Sequence, residues 1–176
     1  MKARTGTLRK VCGRVVISLF AVSTAMGLAL ASAPMANAAQ EKIRVEKSDS
    51  RIVRITGTSL GDSVVPSGGS SNGSGTQIRV SATVGQLVAG PGCVQLGSVV
   101  QCDGVSRIKF IAGSGDDAFR NDTGLPVQLE GGPGSDRLSG GPANDAIIGG
   151  EGNDFAFGRA GIDTCTQAEN ESDCEL

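Results

Sequence analysis

Beyond position 40, apolar residues fall mostly at every second place, the spacing of a strand with one covered face. Ile43 and Val45 are matched by Val53 and Ile55 across a polar break at 47–50, which predicts two strands around a turn. Ile78, Val80, Ala82 and Val84 line one side of a further strand, with Arg79, Ser81 and Thr83 on the other. Residues 94–96 and 99–101 flank Gly97-Ser98, a two-residue hairpin turn with Gly first. Residues 108–111 read as another short strand. The stretch 66–76, rich in Gly, Ser and Asn, reads as an exposed loop. No helical period appears in this part of the chain, so the expected class is all-β.

One segment breaks the alternation. Residues 15–39 carry no charge, follow Lys2, Arg4, Arg9, Lys10 and Arg14, and close on Ala36-Asn37-Ala38. A basic head, an apolar middle and a small-x-small exit predict a secretory signal peptide over 1–38, and hence a secreted, extracellular protein. The charge that remains is uneven. Residues 39–111 carry eight basic and five acidic groups, whereas 112–176 carry three basic and thirteen acidic. A Gly-rich segment with that imbalance repels itself and loses much backbone entropy on ordering. It needs cations to fold, and nucleic acid is excluded as its partner.

The acidic part is periodic. The units 131–139, 140–148, 149–157 and 158–166 place Asp136, Asp145, Asp154 and Asp163 at the sixth of nine positions, and 112–120 places Asp117 there too. Between them, 121–130 has ten residues and puts Pro126 where the Asp should stand. Glycines recur at the first, second and fourth places: Gly113 and Gly115; Gly131, Gly132 and Gly134; Gly140 and Gly141; Gly149, Gly150 and Gly152; Gly158 and Gly161. They permit positive φ and keep β-carbons out of a crowded turn, so that carbonyls can point inward as hard oxygen ligands. One loop cannot supply the six to eight oxygens that calcium prefers, so two must stack. With two units per full coil, the expected pairs are 117/136, 136/154 and 145/163. Ala143, Arg159 and Ala160 depart from the pattern and are expected to weaken the last pair. Phe119, Leu138, Ile147, Ala156 and Cys165 take the inward eighth place, although Phe155 and Phe157 beside the small Ala156 suggest a different facing there.

These units resemble the nonapeptide repeats of the haemolysin-type (RTX) calcium-binding family, GGxGxDxUx with U a large aliphatic residue. The resemblance implies a right-handed parallel β-roll over 112–166. Each unit makes half a coil, and Ca2+ sits between loops stacked on the same edge. A β-rich region, 39–111, would cover one end of the roll, and an acidic tail, 167–176, the other. In build the chain resembles the short stand-alone members secreted by actinobacteria, since no large catalytic domain remains beside the repeats.

Four cysteines follow the expected signal segment. An even count in an exported chain suggests two disulfides with three possible pairings. The Gly97-Ser98 turn sets residue 96 opposite 99 and therefore Cys93 opposite Cys102, in a non-hydrogen-bonded pair about 4.5 Å apart, within disulfide reach. Cys165 and Cys174 have the same separation, and a bridge there would clamp the tail over the last coil.

The chain has no His, Trp or Tyr, which removes imidazole catalysis and most base-stacking surface. The leading function is calcium binding coupled to folding outside the cell. A structural or adhesive protein stiffened by calcium, touching cell wall or polysaccharide, is the second class. A small hydrolase is the third; its carboxylate candidates, Glu169, Glu171, Asp62 and Asp103, read more simply as solvated charges.

Overall fold

A computed structural model describes residues 41–72 and 75–175; the expected signal segment lies outside them. Every regular element among these residues is a strand. The front of the chain gives β1 (Ile43–Lys47), β2 (Ile52–Thr56), β3 (Ser63–Asn72), β4 (Gly75–Val84), β5 (Leu87–Ala89), β6 (Cys93–Leu96), β7 (Val99–Val105) and β8 (Arg107–Ile111). The repeats give β9 (Ala118–Arg120), β10 (Val127–Pro133), β11 (Arg137–Ser139), β12 (Ala146–Glu151), β13 (Phe155–Phe157), β14 (Thr164–Thr166) and β15 (Asn170–Ser172).

Two sheets result. One has the order β14-β12-β10-β8-β2-β1-β5, the other β15-β13-β11-β9-β3-β4-β7-β6. From β2 onward the first sheet is parallel through β8, β10, β12 and β14, and the second is parallel from β3 through β9, β11, β13 and β15. The chain therefore runs as a β-roll, one strand in each sheet per coil. The nine-residue period explains the register. Gln128 pairs with Ala146 and Ala146 with Thr164, a step of two units, and Arg137 pairs with Phe155 in the same way.

The roll starts earlier than the repeats. β2 and β3 form a complete first coil, and the chain then leaves through β4–β7 before returning at β8 beside β2. The stretch 66–76 is not a loop over its described residues. β3 and β4 pair antiparallel from Ser63↔Val84 to Asn72↔Gly75, with a register slip between Gly68 and Ser70 that takes up the glycines. Composition suggested a loop, but ladder hydrogen bonds and a bulge suffice to hold such residues in strands. Val84 does not share the covered face of Ile78 and Val80: it is 54% exposed, at the end of its strand.

Inside, the eighth-place residues meet between the sheets. Phe119, Leu138, Ile147, Ala156 and Cys165 are all buried. The Phe110 and Phe119 rings, one from each sheet, stack at 4.8 Å between centroids. Each large side chain buried in this way contributes roughly 1.5–3 kcal/mol. Ala156 corrects one expectation, since it faces inward like its counterparts. Phe155 and Phe157 stand outside, where Arg137 lies 5.1 and 5.8 Å from their ring centroids. Strand pleating sets the facing, and the outer Arg–Phe contact leaves the two rings a place to rest.

Both disulfides are present. Cys93 stands opposite Cys102 with Leu96 opposite Val99, and the Cα atoms are 4.4 Å apart. Cys165 joins Cys174 over a Cα distance of 5.7 Å. β15 pairs with β13, and the Glu175 N–H donates to the Asp163 carbonyl at 2.6 Å, so the tail lies across the final turn.

Candidate metal centre

The turns between the sheets stack into two edges. On the first, the chain passes from the seven-stranded to the eight-stranded sheet, through 57–62, 112–117, 131–136, 149–154 and 167–169. On the second it returns, through 121–126, 140–145 and 158–163. Glycine is required for two different reasons. At the second place Gly150 has φ +125°, outside the range of ordinary L-residues. At the first place Gly131 has no such φ; a β-carbon there would collide with the Asp136 carboxylate and the Gly149 carbonyl. The glycines at 113, 115, 132, 134, 152 and 161 belong to the positive-φ group, and those at 140, 149 and 158 to the crowded first-place group. Gly141 lacks a positive φ, but it too is crowded, since a β-carbon there would stand 2.6 Å from Asn121 Nδ2. Its N–H donates to Asp145 Oδ2 at 2.6 Å.

The carboxylates form a ladder. On the first edge the Asp62 N–H donates to Asp117 Oδ1 at 2.6 Å, Asp117 N–H to Asp136 Oδ1 at 2.8 Å, and Asp136 N–H to Asp154 Oδ1 at 2.8 Å. The Asp154 N–H donates in turn to Glu169 Oε2, also at 2.8 Å. On the second edge Val127 N–H donates to Asp145 Oδ1 and Asp145 N–H to Asp163 Oδ1, both at 2.8 Å. The expected pairs 117/136, 136/154 and 145/163 are thus adjacent in space. One alignment is corrected: because Gln128 pairs with Ala146, the residue in the Asp position of the long unit is Val127, and Pro126 falls one place earlier. The extra residue of that unit is absorbed before the strand, where Asn121 accepts from the Thr123 N–H and hydroxyl and donates to the Leu125 carbonyl.

Each ladder bond uses one carboxylate oxygen. The other, Oδ2, of Asp117, Asp136, Asp154 and Asp163 is buried with no hydrogen-bond partner among the described residues. A buried, unpartnered, charged oxygen is costly, and three of these lie on the first edge and one, of Asp163, on the second; a cation is what would satisfy them. Burial pushes Asp117 up to about 7, against the Asp62 N–H and helped by the charges of Asp136, Asp62 and Asp116. Burial likewise raises Asp136 to about 6, with Asp154 and Asp116 adding to it. Asp145 is raised by burial as well, but the N–H groups of Gly141 and Val127 and the charge of Arg159 hold it back.

The donors are hard oxygens, the set that calcium takes. Among the described residues no three acidic or cysteine side chains converge. Carbonyls must therefore complete any shell, and the first-place ones are near. A β-carbon on Gly131 would touch both Asp136 Oδ2 and the Gly149 oxygen; one on Gly149, Asp154 Oδ2 and the Gln167 oxygen; one on Gly158, Asp163 Oδ2 and the Asp173 oxygen.

Arg159 does more than strain its turn. It has φ +75°, its Nη1 donates to the Asn121 carbonyl at 3.1 Å, and it lies 3.8 Å from Asp122. The second edge thus carries a built-in cation, whereas among the described residues no Lys or Arg forms an ion pair with the first-edge ladder. Sequence reading missed two ladder members. Asp62 sits in a turn that keeps Gly57 at the first place, the Asp at the sixth and Val64 at the eighth, but lacks glycine at the second and fourth places. Glu169 reaches the sixth place through a turn three residues short, since Phe155 pairs with Asn170. Glu171 and Asp103 are exposed and outside the ladder.

Residues 130–165 match the family model of the RTX calcium-binding nonapeptide repeat, in four copies. No curated protein matches the chain. Nor does any solved structure.

Proposed function

Because residues 130–165 are RTX calcium-binding repeats, we propose that this is a secreted calcium-binding β-roll whose coils consolidate when calcium arrives. The carrying observation is the set of four buried, unpartnered Oδ2 atoms. Asp136, Asp154 and Asp163 would hold the ions, with the first-place carbonyls of Gly149, Gln167 and Asp173. Asp117 contributes more weakly, because Ala112 rather than glycine fills the first place of its turn. Asp145 acts mainly as a scaffold, both its oxygens being taken by N–H groups. Calcium supplies the positive charge that the first edge lacks. The chain supplies aligned oxygens, a dry interior and two disulfides that fit an oxidising compartment.

Binding free energy is folding free energy in such a design. Low calcium before export keeps the aspartates repelling one another; higher calcium outside lets the ladder close. We read the protein as a binding rather than a catalytic one, since the ladder carboxylates are engaged by backbone N–H groups. Circular dichroism and thermal melts during calcium titration test this, with magnesium as control. The expected result is a calcium-specific gain in cooperative β-signal, because the small octahedral shell of magnesium fits flexible oxygens poorly. Equal melting in EGTA and in calcium would overturn the reading.

One feature favours a structural role as well. Arg120, Arg137 and Arg159 line a groove of about 370 Å³ on the outer face of the eight-stranded sheet, together with Phe157 and Ser63. Arg120 and Arg159 share Asp122, and Asp173 also lines the groove, so Arg137 is the cation through which an anionic polysaccharide would be met. Sedimentation with acidic cell-wall polymer, repeated with Arg137→Ala, tests it; binding that ignores the substitution removes this second role.

A further inference from the structure

The tail after the last nonapeptide completes a slot that the repeats leave open. We propose that the Cys165–Cys174 bridge is a redox gate on calcium at Asp163: this slot binds tightly only while the bridge is closed. This rests on the calcium reading above and adds its control by a second chemistry.

The far wall of the slot comes from the tail. The Asp145 N–H takes Asp163 Oδ1, and Asp163 Oδ2 is buried and unpartnered. A β-carbon on Gly158 would touch both that oxygen and the Asp173 carbonyl. Asp173 thus stands to Asp163 as Gly149 stands to Asp136, although it belongs to no repeat. Backbone bonds flank it on both sides. The Gly158 N–H donates to the Ser172 carbonyl at 2.9 Å, and the Glu175 N–H to the Asp163 carbonyl at 2.6 Å.

The tail has little of its own to hold it there. Between the two cysteines Ala168 is the one apolar residue, whereas Glu169, Glu171 and Asp173 are acidic. β15 is exposed along its whole length. These acids and the carboxylates of Asp154 and Asp163 repel one another until a cation arrives. The bridge opposes that repulsion from inside the roll. Cys165 takes the inward eighth place, where the other coils carry Phe119, Leu138, Ile147 and Ala156, and it is buried; Cys174 adjoins Asp173. The tail's contribution to the Asp154 slot, the Gln167 carbonyl, is held separately by the Gly150 N–H at 2.9 Å. The gate therefore acts on the second edge.

Cys174 is half-buried, within reach of a small dithiol. Thiol–disulfide exchange passes two electrons and two protons from the dithiol to the bridge, which becomes two cysteine thiols while the dithiol becomes a disulfide. Once the tether is gone, the effective concentration of the Asp173 carbonyl at the slot falls. Linkage makes the effect mutual: calcium must favour the closed bridge by the same factor by which the bridge favours calcium. Reducing, calcium-poor surroundings leave the slot open, and oxidising, calcium-rich ones close it.

The test is redox titration of the full mature chain in buffers of reduced and oxidised dithiothreitol, with calcium or EGTA, each bridge being quantified by alkylation and peptide mass spectrometry. Calcium should move the Cys165–Cys174 equilibrium at least about tenfold toward the disulfide, about 30 mV in potential, and leave Cys93–Cys102 unmoved. Asp163→Asn should abolish the shift. In calorimetric titrations, reduction should weaken one calcium site at least about tenfold and spare the others. An unmoved Cys165–Cys174 equilibrium, an equal shift at both bridges, or a shift that survives Asp163→Asn overturns the gate while the calcium reading stands. If the oxidised wild type binds no calcium, both fall. If Asp163→Asn does not fold, the two bridges of the wild type decide, the front one serving as the internal control.

Discussion

Asp136→Asn should make the calcium-free protein more stable and the calcium-loaded protein less so. Asp136 is the middle of the first-edge ladder, buried at 1% exposure, with Oδ1 bonded to the Asp117 N–H and Oδ2 bonded to nothing. Its carboxyl is pushed from 3.8 to about 6. Keeping it ionised at neutral pH therefore costs the fold about 3 kcal/mol relative to the unfolded chain. Asparagine removes that cost and retains the acceptor oxygen, though a neutral bond replaces a charge-assisted one, at about 1 kcal/mol. Its new N–H2 lies beside the Gly149 carbonyl, which can accept from it. The net gain without calcium is about 2 kcal/mol, roughly 6–10 °C in Tm for a unit of this size. In excess calcium the order reverses. A site at a hundred times its Kd stabilises by about 2.7 kcal/mol, and Asp136 borders two slots. Paired melts in EGTA and in saturating calcium, by calorimetry at neutral pH, measure both arms. A variant that melts lower than wild type in EGTA would refute the desolvation argument. An undiminished calcium response would refute Asp136 as a ligand.

Three further outcomes follow from the same geometry. Asp117 and Asp136 hold their protons more tightly folded than unfolded, so the calcium-free protein should lose stability as pH rises from about 4 to about 7, whereas calcium affinity should fall as pH drops through about 7 to 6; calorimetric melts and titrations across that range check both signs. Gly150→Ala should cost about 3 kcal/mol or more, since φ +125° is unfavourable for alanine and its methyl would strike the Gly132 backbone, whereas Gly124→Ala, with nothing within 4 Å, should be nearly neutral in the same denaturant melts. Replacing Cys165 and Cys174 with serine should cost about 2–3 kcal/mol and raise hydrogen exchange in β14 and β15 while leaving β2 unchanged, because the bridge closes a short loop at that end alone.

Where neighbours in space are also neighbours in a fixed period, the chain announces its own stacking. Asp136, Asp145, Asp154 and Asp163 recur every nine residues, so alternate ones had to meet, and their eighth-place partners had to face inward. The Cys93–Cys102 pair was equally legible, because a two-residue turn fixes the register of its hairpin. The rest was set over distances that no period spans. Asp62 reaches Asp117 only after a long excursion, and its turn keeps too few of the glycines to announce itself. Glu169 enters the ladder because a shortened turn still delivers its strand to β13. Val127 displaces Pro126 from the aspartate position because ladder bonding, not residue count, chooses where an extra residue is absorbed. The 66–76 stretch pairs as strands because β3 is held on one side by β4 and meets β9 on the other, an advantage its glycines and serines could not signal. Local spacing encodes which carboxylates stack; cooperative hydrogen bonding across the two sheets sets how far the stack continues at each end.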